Sequence, residues 1–126
     1  MTDTHYIILY VNNPQTSADF YADLLGREPV EKSATFALFP MGPGLMLGLW
    51  SKHTVEPTTA GMTGGMEVAF SMTDAEEVDK TYDAWVEKKI TVAQVPTDMD
   101  FGHSFVALDP DGHRLRVFSL SPDLKK

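Results

Sequence analysis

The stretch YIILYVNN, residues 6–13, is matched later in the chain by EVAFSMTD, residues 67–74. Each is an apolar run typical of a strand, and each ends in polar residues that suit the start of a helix. A segment with helical spacing of its apolar residues follows each run. This internal duplication predicts two copies of one supersecondary unit, each beginning with a strand and a helix.

Local signals give the limits of both predicted helices. Asn13 followed by Pro14 is typical of an N-cap and a first helical residue, and Gly26 suits the C-terminal cap. In the second copy, Thr73 and Glu76 have the spacing of a capping box. The second helix carries an apolar stripe formed by Val78, Tyr82, Trp85 and Val86.

Several strand-like runs follow each helix. The first copy continues with residues 35–41 and 44–50, joined by a turn at Gly42-Pro43-Gly44, and we expect one further short strand. The second copy continues with three runs, ITVAQV (90–95), SFVALD (104–109) and RLRVFSL (114–120). We therefore predict an α+β fold of two βαβββ modules.

The two modules are predicted to span residues 1–52 and 64–122, with a polar, glycine-rich linker at 51–65 and one domain over residues 1–126. We expect them to form one curved mixed sheet with the helices outside. Alternate strand residues then face the helices: Ile7, Leu9, Val11, Val68, Phe70 and Met72. The opposite, mixed faces would line a concave surface of the kind that binds small ligands: Tyr6, Ile8, Tyr10, Glu67, Ala69 and Ser71.

Composition narrows the class of partner. The chain has 126 residues, 43% of them apolar, which is enough for a core and too many for a disordered chain. Its formal net charge of −8 argues against nucleic acid and anionic membranes as partners. There is no cysteine, which excludes disulfides, thiol catalysis and cysteine-ligated metals. We expect a cytoplasmic protein, because no basic segment precedes the first apolar run.

Three segments together resemble the vicinal oxygen chelate superfamily, which includes glyoxalase I, extradiol dioxygenases and bleomycin resistance proteins. They are YVNNPQTSADFYADLLG (10–26), EVAFSM (67–72) and DPDGHRLRVF (109–118). Within that superfamily, the resemblance is strongest to members that confer resistance to phenazine antibiotics. The resemblance implies the paired βαβββ fold over nearly the whole chain.

The resemblance also implies where metal-dependent members place their ligands. Those positions hold Tyr6, Glu67 and Arg116 in this chain, and a further one falls near Gly48. Arginine has no lone pair for coordination and stays charged. We therefore expect no metal and no cofactor, and we expect Glu67 to pair with Arg116.

Without a metal, the resemblance implies a non-catalytic resistance protein. Such a protein would sequester a planar aromatic antibiotic, for example a phenazine, in a cavity of a homodimer, and no catalytic residue is predicted. One alternative is a metal-dependent lyase or transferase of the glyoxalase type with displaced ligands. Another is a metal-free enzyme with Glu67 or His103 as its base, although the polar segment 97–103 is better interpreted as a loop ahead of a strand.

Aromatic and polar residues of the mixed faces are the candidate ligand contacts. Trp50 would stack on a flat ring, with Gly48 leaving room for it. Arg116 or Arg114 would pair with a ligand carboxylate, unless Glu67 already holds Arg116. His113, next to the late turn, is expected at the surface. The predicted ligand-binding residues are Trp50, Arg116, Glu67, Tyr6, Tyr10, Met46, Gly48, Phe101, His103, Phe105 and Phe118.

Overall fold

The computed structural model describes residues 4–56 and 66–124. The chain divides into two compact units, Met1–Met62 and Thr63–Lys126. The first unit consists of β1 (His5–Val11), α1 (Pro14–Leu25), β2 (Glu31–Lys32), β3 (Phe36–Gly42) and β4 (Leu45–Ser51). The second consists of β5 (Glu67–Ser71), α2 (Ala75–Glu87), β6 (Thr91–Met99), β7 (Gly102–Leu108), β8 (Arg114–Leu120) and a short 3₁₀ turn, Pro122–Leu124.

Each unit folds into one four-stranded mixed sheet. The strand order is β1-β4-β3-β2 in the first unit and β5-β8-β7-β6 in the second. The first strand of each unit runs parallel to the last, and the other pairs are antiparallel. The predicted α+β fold with two βαβββ modules is confirmed. The single curved sheet and the single domain stay predictions, and most of the predicted linker, residues 57–65, lies outside the described residues.

The caps of α1 are those that the sequence predicts. The Asn13 side chain accepts hydrogen bonds from the backbone N–H groups of Gln15 and Thr16, at 3.0 and 3.2 Å. Pro14 occupies the first helical position, where its missing N–H leaves no bond unmade. Gly26 ends the helix with φ at 63°, a left-handed conformation that glycine adopts without steric cost.

The N-terminus of α2 lies one residue later than predicted. Asp74, and not Thr73, is the N-cap, and its Oδ1 accepts a 2.9 Å hydrogen bond from the backbone N–H of Glu77. The Glu77 carboxylate in turn accepts from the backbone N–H of Thr73 at 2.9 Å. Threonine and aspartate are both good N-caps, so the sequence alone does not choose between them.

The apolar stripe of α2 is shorter than predicted. Val78 and Trp85 are buried, whereas Val86 is 44% exposed and lies outside the core. Trp85 packs edge-to-face on Phe70 and Phe105, from two strands of the sheet below. These contacts place the core of the second unit between α2 and the sheet.

None of the described helices is both long and apolar enough to cross a membrane.

The hairpin β6–β7 differs from the prediction. Strand β6 extends to Met99 and β7 begins at Gly102, so most of the segment predicted as a polar loop is strand. Pro96 is tolerated because β6 is an edge strand and its pairing with β7 shifts register between Gln94 and Thr97. Proline has no N–H to donate to a neighbouring strand, so it suits an edge or a bulge. Gly102 has φ at 148°, and a Cβ there would collide with the backbone carbonyl of Ser119. The tight crossing of β7 and the end of β8 therefore requires glycine.

Candidate functional site

Strand β8 separates two chemically different faces of the second sheet. Leu115 and Val117 are fully buried on the side where α2 packs. Arg114, Arg116 and Phe118 alternate with them on the opposite side, which we call the helix-free face. The two arginines therefore share one face, as the alternation of the sequence predicts.

Arg116 and Glu67 form an ion pair on the helix-free face. Arg116 Nε donates a 2.6 Å hydrogen bond to Glu67 Oε2, and Nη2 donates a longer bond of 3.4 Å to Oε1. The Arg116 side chain is 17% exposed and that of Glu67 is 36% exposed. The predicted pairing is present, and both carboxylate oxygens take part in it.

Further contacts hold the Arg116 guanidinium in place. Nη1 donates to Ser104 Oγ at 2.9 Å and approaches Met99 Sδ at 3.9 Å. The guanidinium carbon lies 5.8 Å from the centroid of the Phe101 ring, within cation–π range. An arginine offers five N–H groups, so these partners occupy most of its donors and set its plane.

An open apolar pocket of about 430 Å³ lies beside this pair, lined by Glu67, Ala69, Phe101, Arg116, Phe118 and Leu120. Phe101 and Phe118 pack edge-to-face with ring centroids 6.2 Å apart. The structure thus brings four of the predicted ligand residues to one place. We call this site the aromatic pocket.

A second, more polar depression of about 320 Å³ borders the first, lined by Ala93, Gln94, Met99, Val106, Arg114 and Arg116. We call it the polar pocket. Arg116 lines both pockets and therefore lies between them. Sequence reasoning missed Gln94, Met99 and Ser104, because only the strand register brings β6 and β7 side chains beside Arg116.

The residues of this site do not fit a divalent cation. Among residues 4–56 and 66–124, Glu67 supplies the only carboxylate that lines either pocket, and Arg116 already occupies it. A fixed guanidinium beside that carboxylate would repel a second cation. The site instead combines aromatic surface with a neutralised ion pair, which suits a flat, largely apolar ligand.

His103 and Phe105 lie on the face of the sheet opposite Arg116, so the prediction that they share its site is wrong, although His103 lines a separate pocket of about 350 Å³. Phe105 is fully buried against Tyr82 and Trp85 beneath α2, so no ligand on the helix-free face reaches it. Both residues alternate with Ser104, whose hydroxyl reaches Arg116. A one-residue difference along β7 moves a side chain from one face to the other.

His103 joins helix α2 to strand β6. Its Nε2 lies 2.7 Å from Asp79 Oδ1, and its Nδ1 lies 2.7 Å from Asp98 Oδ1. The hydrogen bond with Asp79, followed by that with Asp98, raises the pKa of His103 above its ordinary value, and burial opposes the rise. Both ring nitrogens of His103 already lie within hydrogen-bond distance of a carboxylate, so neither is open to a substrate proton.

His113 is buried, which contradicts its predicted surface position. The backbone N–H of His113 donates to Asp109 Oδ1 at 2.8 Å, and His113 Nδ1 lies 2.8 Å from Asp109 Oδ2. This hydrogen bond raises the pKa of His113, although desolvation opposes it. Asp109 also accepts a hydrogen bond from the backbone N–H of Asp111. The side-chain nitrogen and oxygen atoms of the three residues lie within 4.8 Å of one another, and their contacts stabilise the turn before β8.

The remaining predicted residues belong to the first unit. Tyr6, Tyr10, Met46 and Trp50 lie on the face of their sheet opposite the side of Leu47 and Leu49 that packs on α1. Tyr6 and Tyr10 are exposed, and Trp50 is half-buried. Trp50 packs edge-to-face on Phe36, a neighbour across β3 and β4 that sequence reasoning missed.

Gly48 does not leave room for a ligand ring on this face. A Cβ placed there would lie 2.5 Å from Ile8 Cδ1 and 3.0 Å from Phe36 Cζ. The space above the glycine is therefore filled by side chains of the same sheet. A Cβ at this position would require the Ile8 and Phe36 side chains to shift.

Comparison with known proteins identifies relatives over nearly the whole chain. The family model of the glyoxalase/bleomycin resistance protein/dioxygenase superfamily matches residues 4–117. The phenazine antibiotic resistance protein EhpR of Enterobacter agglomerans is 32% identical over 116 residues, which cover 90% of this chain and 88% of EhpR.

Solved structures show the same fold. A protein of Agrobacterium tumefaciens determined by solution NMR is 47% identical, with a TM-score of 0.81 over 96% of this chain and 99% of that one. A glyoxalase/bleomycin resistance protein/dioxygenase from Nocardioides is 25% identical, with a TM-score of 0.82 over 99% of this chain and 87% of that one. With the duplicated βαβββ unit and the family match over residues 4–117, the chain belongs to the glyoxalase/bleomycin resistance protein/dioxygenase superfamily.

Proposed function

We propose that this chain is a non-catalytic antibiotic resistance protein that sequesters a planar aromatic drug of the phenazine class. The observation that carries the proposal is the aromatic pocket, where Phe101 and Phe118 lie beside a guanidinium that Glu67 neutralises. The similarity to the phenazine resistance protein EhpR supports the choice of ligand class.

The pocket offers the contacts that a flat ring needs. Stacking on an aromatic side chain contributes about 0.5–1.5 kcal/mol beyond the burial of area. The face of the Arg116 guanidinium supplies a second flat surface, and its contacts with Glu67 and Ser104 fix the plane before a ligand arrives. A preorganised surface of this kind loses little entropy on binding.

The ionisable groups favour binding over catalysis. Glu67 is occupied by Arg116, and both ring nitrogens of His103 are occupied by carboxylates. A general base needs a free lone pair within reach of the proton that it removes. We infer that the family's usual metal site is lost in this chain, and that the protein works in the cytoplasm as a homodimer, as expected for its metal-free relatives.

Titration of the purified protein with a phenazine tests the proposal. Calorimetry should show saturable binding at about one ligand per chain that EDTA leaves unchanged, and chromatography should recover the ligand unaltered. Phe118→Leu should weaken binding about fivefold, the equivalent of one stacking contact. Phe70→Leu, which removes a ring from the opposite face of the same sheet, should leave it unchanged.

Two results would overturn the proposal. Absence of saturable binding would exclude phenazines as the ligand class. Conversion of the ligand that EDTA abolishes would instead establish the metal-dependent lyase or transferase of the glyoxalase type. Light scattering on the same samples measures the number of chains in the assembly.

A further inference from the structure

We propose that Arg114, with Gln94 from the lining of the same pocket, forms an anion subsite that recognises an acidic substituent on the bound aromatic ligand. This inference rests on the proposed function and names a narrower ligand class, planar aromatic monocarboxylates. It assigns the carboxylate to the polar pocket and the ring to the aromatic pocket, with Arg116 between them.

The charges on the helix-free face single out Arg114. The strands of this face, in the part of the chain that the structure describes, carry three charged side chains: Glu67, Arg114 and Arg116. Glu67 is the register partner of Arg114 across β5 and β8, yet its carboxylate turns to Arg116, two residues further along. Two of the three charges therefore cancel.

Arg114 keeps its donors available. Among the described residues, no carboxylate, carbonyl or hydroxyl accepts a side-chain hydrogen bond from its guanidinium, and the side chain is exposed at the rim of the polar pocket. The face thus presents one uncompensated positive charge on a chain with a formal net charge of −8. An overall acidic protein repels anions, so a local cation of this kind decides where one binds.

The chemistry of the polar pocket suits a carboxylate. A guanidinium binds a carboxylate through two parallel N–H···O bonds, which fixes the plane of the acid as well as its position. Gln94 also lines this pocket, and its amide carries N–H donors. Arg116 does not serve this purpose, because most of its donors already have partners and its charge is neutralised.

The two pockets share Arg116, so one ligand can reach both of them. Arg114 and Arg116 are two residues apart on one strand, which separates their Cα atoms by about 7 Å. The step from the centre of a fused aromatic system to a carboxylate on its outer ring is shorter than this, and the long Arg114 side chain covers the difference. A ligand stacked against Arg116 and Phe101 would therefore direct its acid toward Arg114.

The test compares two probes that differ only in charge, phenazine-1-carboxylate and phenazine-1-carboxamide. Calorimetry at neutral pH and low salt is done on the unmodified protein, Arg114→Gln and Lys80→Gln. Lys80 is an exposed cation on α2, so its variant removes one charge away from the site. The unmodified protein should bind the carboxylate about tenfold more tightly than the carboxamide, as expected for a charge-assisted pair.

Arg114→Gln should weaken carboxylate binding by about tenfold and change carboxamide binding by less than about twofold, because only the charged pair is lost. Arg114→Lys should retain part of the affinity for the carboxylate that Arg114→Gln loses, since lysine keeps the positive charge but cannot form the two parallel N–H···O bonds of a guanidinium. Lys80→Gln should change neither affinity.

Each other outcome is decisive. Equal weakening of both probes by Arg114→Gln would overturn the anion subsite and leave Arg114 as a general contact. Unchanged binding of both probes would overturn it while the proposed function stands. If neither probe binds the unmodified protein, the proposed function and the subsite both fail.

Discussion

Arg116 Nε donates a 2.6 Å hydrogen bond to Glu67 Oε2, which ties the last strand of the second sheet to the first strand of that sheet. The pair crosses β5 and β8 diagonally, because the direct register partner of Glu67 is Arg114. The resemblance to metal-dependent relatives maps both members onto metal-ligand positions. Here the two side chains satisfy one another.

A double-mutant cycle on Glu67 and Arg116 should show positive coupling. We expect Glu67→Gln and Arg116→Gln together to cost less free energy of unfolding than the sum of the single variants, by about 1 kcal/mol for a pair that remains partly exposed. Urea unfolding followed by circular dichroism measures all four proteins. Strictly additive costs would mean that the contact contributes nothing to stability. The pair Lys32–Asp19, on the exposed surface of the first unit, is the matched control and should show weaker coupling.

The stability that His103 provides should depend on pH. Its contacts with Asp79 and Asp98 raise its pKa in the folded state above the unfolded value of about 6.5. The contribution is therefore complete below about pH 6.5 and is lost as the pH rises through the raised folded pKa. The difference in Tm between the unmodified protein and His103→Gln should shrink between acidic and alkaline pH. A difference that is constant with pH would contradict an imidazolium at this position.

Two glycine substitutions should separate backbone strain from steric collision. Gly42 and Gly102 have nearly equal φ angles, 154° and 148°, but a Cβ at Gly42 meets nothing within 4 Å, whereas one at Gly102 meets the Ser119 carbonyl. We expect Gly42→Ala to cost about 1–2 kcal/mol for the conformation alone. Gly102→Ala should cost at least about 2 kcal/mol more, because backbone cannot move aside cheaply. Chemical denaturation gives both values, and equal costs would place the strain in the φ angle only.

We expect Phe105 to contribute mainly to stability and Phe118 mainly to ligand binding. Phe105→Ala removes a fully buried ring between the sheet and α2, so we expect a loss of about 3–5 kcal/mol in the free energy of unfolding. Phe118 is half-buried on the helix-free face, and Phe118→Ala should cost less than half as much. Under conditions in which both variants are folded, Phe118→Ala should weaken phenazine binding more than Phe105→Ala does. Equal effects on affinity would place the ligand elsewhere.

Much of the fold follows from local signals. The N-cap at Asn13, the proline after it and the left-handed Gly26 all depend on contacts within a few residues. Alternation along residues 114–118 likewise places both arginines on one side, since side chains on a strand alternate by geometry. The choice between Thr73 and Asp74 as the cap of α2 is a local question that the sequence did not decide.

The site depended on contacts between distant residues. Phe105 and His103 face away from Arg116 because β7 pairs with β8 in one particular register. Ile8 and Phe36 fill the space above Gly48 for the same reason. By itself, the sequence determined the duplicated βαβββ architecture, the caps of α1 and the facing of the arginines, because these follow from short-range backbone geometry. Only the tertiary structure decided which partners each charged and aromatic group meets, because strand register and packing bring together residues that lie far apart in the chain.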